Sequence, residues 1–135
     1  MGKLNKEARY ESVLLIDDND IDNFINQRII TSYYFANSVI VKNSAIGALE
    51  HLKKSSDELP NIIFLDLNMP IMDGFGFLDE FHKLITADEK YKQCKIIVLS
   101  SSMSPDDINK ASINPYVLKY INKPLTESYL EAINF

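Results

Sequence analysis

Cysteine is almost absent from this chain of 135 residues: Cys94 stands alone, so no internal disulfide can form, which fits a reducing compartment. Basic charge is short as well. Lys and Arg number 14 against 19 Asp and Glu, a net charge of −5, the wrong sign for a grip on nucleic acid through phosphate neutralisation. Long hydrophobic runs are missing too, and stretches such as Val13-Leu14-Leu15-Ile16 are far too short to span a bilayer. The opening MGKLNKEARYES has no apolar stretch of the signal-peptide kind, and Lys6 stands where a myristoylation motif after Gly2 needs Ser or Thr. Neither a membrane nor a nucleic acid is therefore an expected partner, and the expected location is cytoplasmic. What is present is ordinary for a globular domain: 46% apolar and 24% charged residues, which excludes disorder and collagen-like repeats. The length suits one domain, at roughly 150 residues each, with a core that hides roughly 70% of the unfolded surface.

Short β-branched runs alternate with amphipathic stretches along the chain. Val13 to Ile16 reads as a strand buried on both faces. The acidic Asp17-Asp18-Asn19-Asp20 then caps a helix whose inner face is Ile21, Phe24, Ile25 and Ile29. Ser38 to Val41 forms a second strand, and Ser44 caps a helix with Ala45, Ala48, Leu49 and Leu52 inward. Pro60 precedes a third apolar run, Ile62 to Leu65, and the loop Asp66 to Asp73 leads into a helix carrying Leu78, Phe81 and Ile85. Ile96 to Leu99 is the fourth strand. Ser104-Pro105-Asp106-Asp107 is a strong helix start, with Ser as N-cap, Pro at the first position and acids in the first turn. Tyr116 to Ile121 is the fifth strand, Pro124 stops it, and Thr126 opens a last helix with Leu130 and Ile133 inward. Five strands, each followed by a helix, imply an α/β fold with an open, doubly wound parallel sheet, which binds ligands beyond the carboxyl ends of its strands.

Asp17 and Asp18 follow the first strand, Asp66 the third, Ser100 the fourth, and Lys123 lies just past the fifth. With strand order 2-1-3-4-5, the ends of strands one and three are neighbours and three carboxylates share a pocket. Like charges so close need compensation, which a divalent cation supplies. An all-oxygen donor set, with no His or Cys nearby, points to Mg²⁺ or Mn²⁺ rather than zinc. An ammonium and a hydroxyl on the far side complete a setting for a phosphoryl group on a carboxylate, and Asp66, on the central strand, is the candidate nucleophile. Asp20, Asp22 and Asn23 read as a solvated helix start, His51 and His82 as surface or packing residues, and Cys94 as a strand-entry residue.

Four segments in order give these residues a family context: Leu15-Ile16-Asp17-Asp18; Asp66-Leu67-Asn68-Met69-Pro70-Ile71-Met72-Asp73-Gly74; Leu99-Ser100-Ser101; and Tyr120-Ile121-Asn122-Lys123-Pro124. Together they resemble the receiver domain of response regulators from two-component systems, of the stand-alone, chemotaxis-regulator-like kind. The resemblance runs over 12–135, with 1–11 as an amino-terminal extension. It implies a flavodoxin-like (βα)5 sandwich with sheet order 2-1-3-4-5. It makes Asp66 the phosphoacceptor, with Asp17, Asp18 and the backbone carbonyl of Asn68 joining it around Mg²⁺. Lys123 would pair with the phosphate, before a cis Lys-Pro bond. Ser100 would be the switch hydroxyl and Tyr120 the aromatic that changes rotamer with it, while Asn68 and Ser102 would flank the phosphate.

The implied function is phosphorelay signal transduction without separate enzymatic turnover. A sensor histidine kinase or phosphotransfer protein would donate the phosphoryl group. The signal would leave through a downstream protein or a phosphorylation-dependent dimer, or through an effector following Phe135 in a longer product. A degenerate receiver serving as a docking module is opposed by the intact Asp17, Asp18, Asp66, Ser100 and Lys123. A phosphohydrolase with an Asp nucleophile is opposed by Asn68, which stands where that class places a second acid.

Overall fold

The computed structural model describes residues 7–55 and 57–134. Gly2 and Lys6 of the amino-terminal reading, and Phe135 at the close of the receiver span, lie outside the described residues. The chain alternates β1 (Tyr10–Ile16), α1 (Asp20–Ser32), β2 (Ala36–Lys42), α2 (Ala45–Lys54), β3 (Ile62–Leu65), α3 (Gly74–Ala87), β4 (Lys95–Ser100), α4 (Pro105–Ser112), β5 (Val117–Asn122) and α5 (Glu127–Ala132). A 3₁₀ turn, Glu89–Gln93, joins α3 to β4. The strands form one parallel sheet in the order β2-β1-β3-β4-β5, the expected doubly wound arrangement. β1 begins at Tyr10, whose amide bonds the Phe35 carbonyl, so the sheet reaches back into the segment read as an extension.

Successive residues of a strand point to opposite faces, and here both faces are covered. Leu14, Ile16, Ile63, Leu65 and Ile96 pack with Ala48, Leu52, Phe77 and Phe81 of α2 and α3. Val13, Leu15, Phe64, Ile97 and Ile121 pack on the other face with Ile30 of α1 and Leu130 of α5. Each of the Val, Leu, Ile and Phe side chains contributes about 1.5–3 kcal/mol by leaving water. α4 is held by Ala111 against Leu67 and Val98. Ser44, Ser104 and Thr126 cap their helices as the sequence indicates, each accepting a backbone N–H from the first turn.

α1 departs from the expected orientation. Ile21, Phe24 and Ile25 are 71%, 63% and 43% exposed, while Asn23, Asn26 and Ile30 are buried. The first turn explains the rotation. Asn19 is the N-cap, its side chain accepting from the Asp22 amide, and Asn23 Nδ2 donates to the Asp17 carbonyl at 2.8 Å. These polar bonds turn the Asn23 side inward and leave Ile21, Phe24 and Ile25 facing solvent, while Ile29 packs against the core as expected. Asn23 is thus a buried residue, not part of a solvated helix start.

One glycine is required by packing. A Cβ on Gly74 would sit 2.7 Å from the Asp66 carbonyl oxygen and 2.8 Å from Leu67 Cα, so only glycine lets α3 start this close to the end of β3. Its amide bonds the Leu67 carbonyl at 2.9 Å.

Candidate functional site

The sheet itself seats the two buried carboxylates. Parallel pairing sets Ile16 opposite Leu65, and the ladder continues one residue further, with the Asp66 amide bonding the Ile16 carbonyl and the Asp17 amide bonding the Lys42 carbonyl. Asp17 and Asp66 therefore stand side by side at the carboxyl edge, 2% and 5% exposed, while Asp18 faces solvent. Asp17, Asp18 and Asp66 each offer an oxygen within 4.8 Å of the others. β4 and β5 bring the remaining groups to this edge: Ser100 pairs with Asn122, and the Lys123 amide bonds the Ser100 carbonyl. The Lys123–Pro124 peptide is cis, as the resemblance implies.

Lys123 reaches across the edge to α1. Its Nζ donates to Asp17 Oδ2 at 2.6 Å and to Asp22 Oδ2 at 2.9 Å, and lies 3.7 Å from Asp66 Oδ1. Burial alone would lower the ammonium's pKa, but its hydrogen bonds to Asp17 and Asp22, with the nearby Asp66 charge, more than offset it and raise the value. Asp66 is shifted upward to about 6, first by burial and then by the neighbouring Asp17 charge, against opposing pulls from Lys123 and the Asn68 amide. This carboxylate sits among like charges that the lysine only partly offsets. That surplus, with an all-oxygen donor set, fits a hard divalent cation, so the cluster can hold a metal.

The switch candidates lie on the opposite flank. Ser100 is fully buried, and its Oγ accepts the Ser102 amide at 3.1 Å. The Tyr120 hydroxyl donates to the Ser102 carbonyl at 2.9 Å. The Ser102 hydroxyl donates to Asp107 of α4 at 2.7 Å, so this side chain ties its loop to α4. Asn68 follows Asp66 in the β3–α3 loop with an exposed side chain.

Asp22 belongs to this site although the sequence reading treated it as solvated. The apolar residues Ile21, Phe24 and Ile25, at the spacing of an inner face, point outward. The usable signal was the Asn19 cap, which fixes the turn carrying Asp22. The other singled-out residues stand apart: His51 on α2, His82 on α3 beside Tyr116, and buried Cys94, whose thiol is pushed up to about 12 by burial.

Comparison with known proteins places the chain in a family. Residues 13–134 match the response regulator receiver domain, and the chain belongs to that family. It is 32% identical over 126 residues to the two-component response regulator ORR1 of Oryza sativa, covering 90% of this chain and 52% of ORR1. It is 28% identical over 121 residues to the sensor histidine kinase CheAY of Helicobacter pylori, covering 90% of this chain but only 14% of that protein. Among solved structures, a two-component response regulator from Cytophaga hutchinsonii superposes with a TM-score of 0.83 at 33% identity, covering 93% of both chains. No helix among the described residues is long and apolar enough to cross a membrane.

Proposed function

We propose that Asp66 accepts a phosphoryl group and that Lys123, Ser100 and Tyr120 register its arrival. The observation that carries this reading is the cluster of Asp17, Asp18 and Asp66 oxygens within 4.8 Å of one another, with the Lys123 ammonium 3.7 Å from Asp66. The cation proposed is Mg²⁺, with Mn²⁺ as the nearest substitute, held by Asp17, Asp18, Asp66 and the Asn68 carbonyl. When bound, it would offset negative charge on the carboxylates and the phosphoryl oxygens.

The donor in this reading is a phosphohistidine on a sensor histidine kinase or phosphotransfer protein. An Asp66 carboxylate oxygen forms the new P–O bond as the P–N bond to imidazole breaks. The bonding pair stays on the imidazole nitrogen. With its value near 6, Asp66 is mostly ionised at neutral pH and can attack without a separate base. Lys123 faces an acyl phosphate carrying about two negative charges where the free carboxylate carried one. Ser100 is poised to exchange its bond with the Ser102 amide for one to the phosphoryl group, and Tyr120, bonded to the Ser102 carbonyl, couples that movement to the β4–α4 loop. A local charge change thereby biases a two-state surface.

The domain acts as a phosphoacceptor in the cytoplasm, its chemistry limited to accepting and losing its own phosphoryl group. The signal passes to a downstream protein or to a phosphorylation-dependent dimer. The receiver unit is taken as 12–135. Incubation with acetyl phosphate and Mg²⁺, followed by intact-mass measurement, should show a gain of one phosphoryl group that disappears without Mg²⁺ and in Asp66→Asn. A gain that persists in Asp66→Asn would overturn the assignment.

A further inference from the structure

Lys123 has two hydrogen-bonded carboxylate partners, and they differ in kind. Asp17 belongs to the group of three whose oxygens lie within 4.8 Å of one another, and Asp22 does not. A cation held by Asp17, Asp18 and Asp66 would offset their charge, leaving Asp22 as the carboxylate that still confronts the ammonium. Asp22 is also held in place. Its amide bonds the Asn19 side chain at 2.9 Å, and the next residue, Asn23, is buried and bonded to the Asp17 carbonyl. The pair is partly shielded from solvent, with side chains 13% exposed for Lys123 and 35% for Asp22.

We propose that Asp22 is a positioning residue that latches the Lys123 ammonium to α1 and competes for it with the incoming phosphoryl group. The inference rests on the phosphoacceptor reading above. An ammonium has three N–H donors, and here two are directed at carboxylates. A phosphoryl group entering the pocket brings further negative charge, and Asp22 opposes it twice. It occupies a donor that the phosphoryl oxygens could use, and it places a like charge beside them. Asp22 thus restrains how readily this receiver accepts and keeps a phosphoryl group.

The test compares wild type, Asp22→Asn and Asp22→Glu, each with and without Lys123→Ala. The initial rate of mass gain is measured with acetyl phosphate at saturating Mg²⁺. Asp22→Asn should react about fivefold faster, the scale set by loss of a partly exposed charged hydrogen bond. Asp22→Glu should stay near wild type, and in the Lys123→Ala background the acceleration should shrink to the smaller part due to like charge alone. A second readout uses metal-free protein: acetylation of Lys123 by an N-hydroxysuccinimide ester, followed by peptide mass mapping, should be severalfold faster in Asp22→Asn. An unchanged or slower phosphorylation rate in Asp22→Asn, or equal acceleration without Lys123, overturns the latch. If folded wild type takes up no phosphoryl group, the phosphoacceptor reading fails instead. The metal-free labelling then decides the latch, and unchanged labelling refutes it.

Discussion

The carboxyl group of Asp66 resists the ionisation that its proposed chemistry needs. Its value rises from 3.8 to about 6 on folding, so between these values the folded chain keeps a proton that the unfolded chain has released. Stability in the absence of metal therefore falls as pH rises through that window, by at most about 3 kcal/mol. Asp66→Asn removes the titration. In chelator, the variant should be more stable than wild type at pH 7 by about 1–3 kcal/mol, with the gap closing towards pH 4. Urea unfolding at several pH values measures this, and a variant less stable than wild type at pH 7 would contradict it. The same residue marks a division in what the sequence revealed. Asp17, Asp18, Asp66, Ser100 and Lys123 were legible because each stands at or just past the end of an apolar run, whereas Asp22 was hidden by the phase of its helix.

At the scale of elements, the end of β3 and the start of α3 are locked together through Gly74. The atoms a Cβ would strike there are backbone, the Asp66 carbonyl oxygen and Leu67 Cα, whereas at Gly76 the nearest obstacle is Met72 Cγ at 2.8 Å, part of a flexible side chain. Gly74→Ala should thus cost about 2 kcal/mol through forced backbone displacement, while Gly76→Ala should cost clearly less. Comparable losses in the two variants, read from urea midpoints, would argue against this packing. The strands and the caps of α2, α4 and α5 were readable because apolar runs and Ser or Thr caps act locally. The orientation of α1 was not. Ile21, Phe24 and Ile25 repeat at the spacing of an inner face, yet two hydrogen bonds near the amino end of α1, from the Asp22 amide to Asn19 and from Asn23 to the Asp17 carbonyl, set the helix the other way. Periodicity reports which residues share a face; polar bonding here decided which face is buried.

Across the whole molecule, the site exists only because the sheet order brings distant segments to one edge. Lys123 lies 106 residues from Asp17 in the chain and 2.6 Å from it in space. Ser100 and Tyr120 reach the same edge from β4 and β5, where Ser102 and Asp107 connect them to α4. In the proposed switch, that connection would carry a charge change at Asp66 to the outer surface. The central claim is that the phosphoryl group resides on this one carboxylate. Borohydride reduction of the acetyl phosphate-treated protein, followed by peptide sequencing by mass spectrometry, tests it directly, because reduction converts an aspartyl phosphate to homoserine. Homoserine at position 66, with Asp17, Asp18 and Asp22 unchanged, is the result expected. Homoserine at another aspartate, or a phosphoryl group that resists borohydride, would contradict the account.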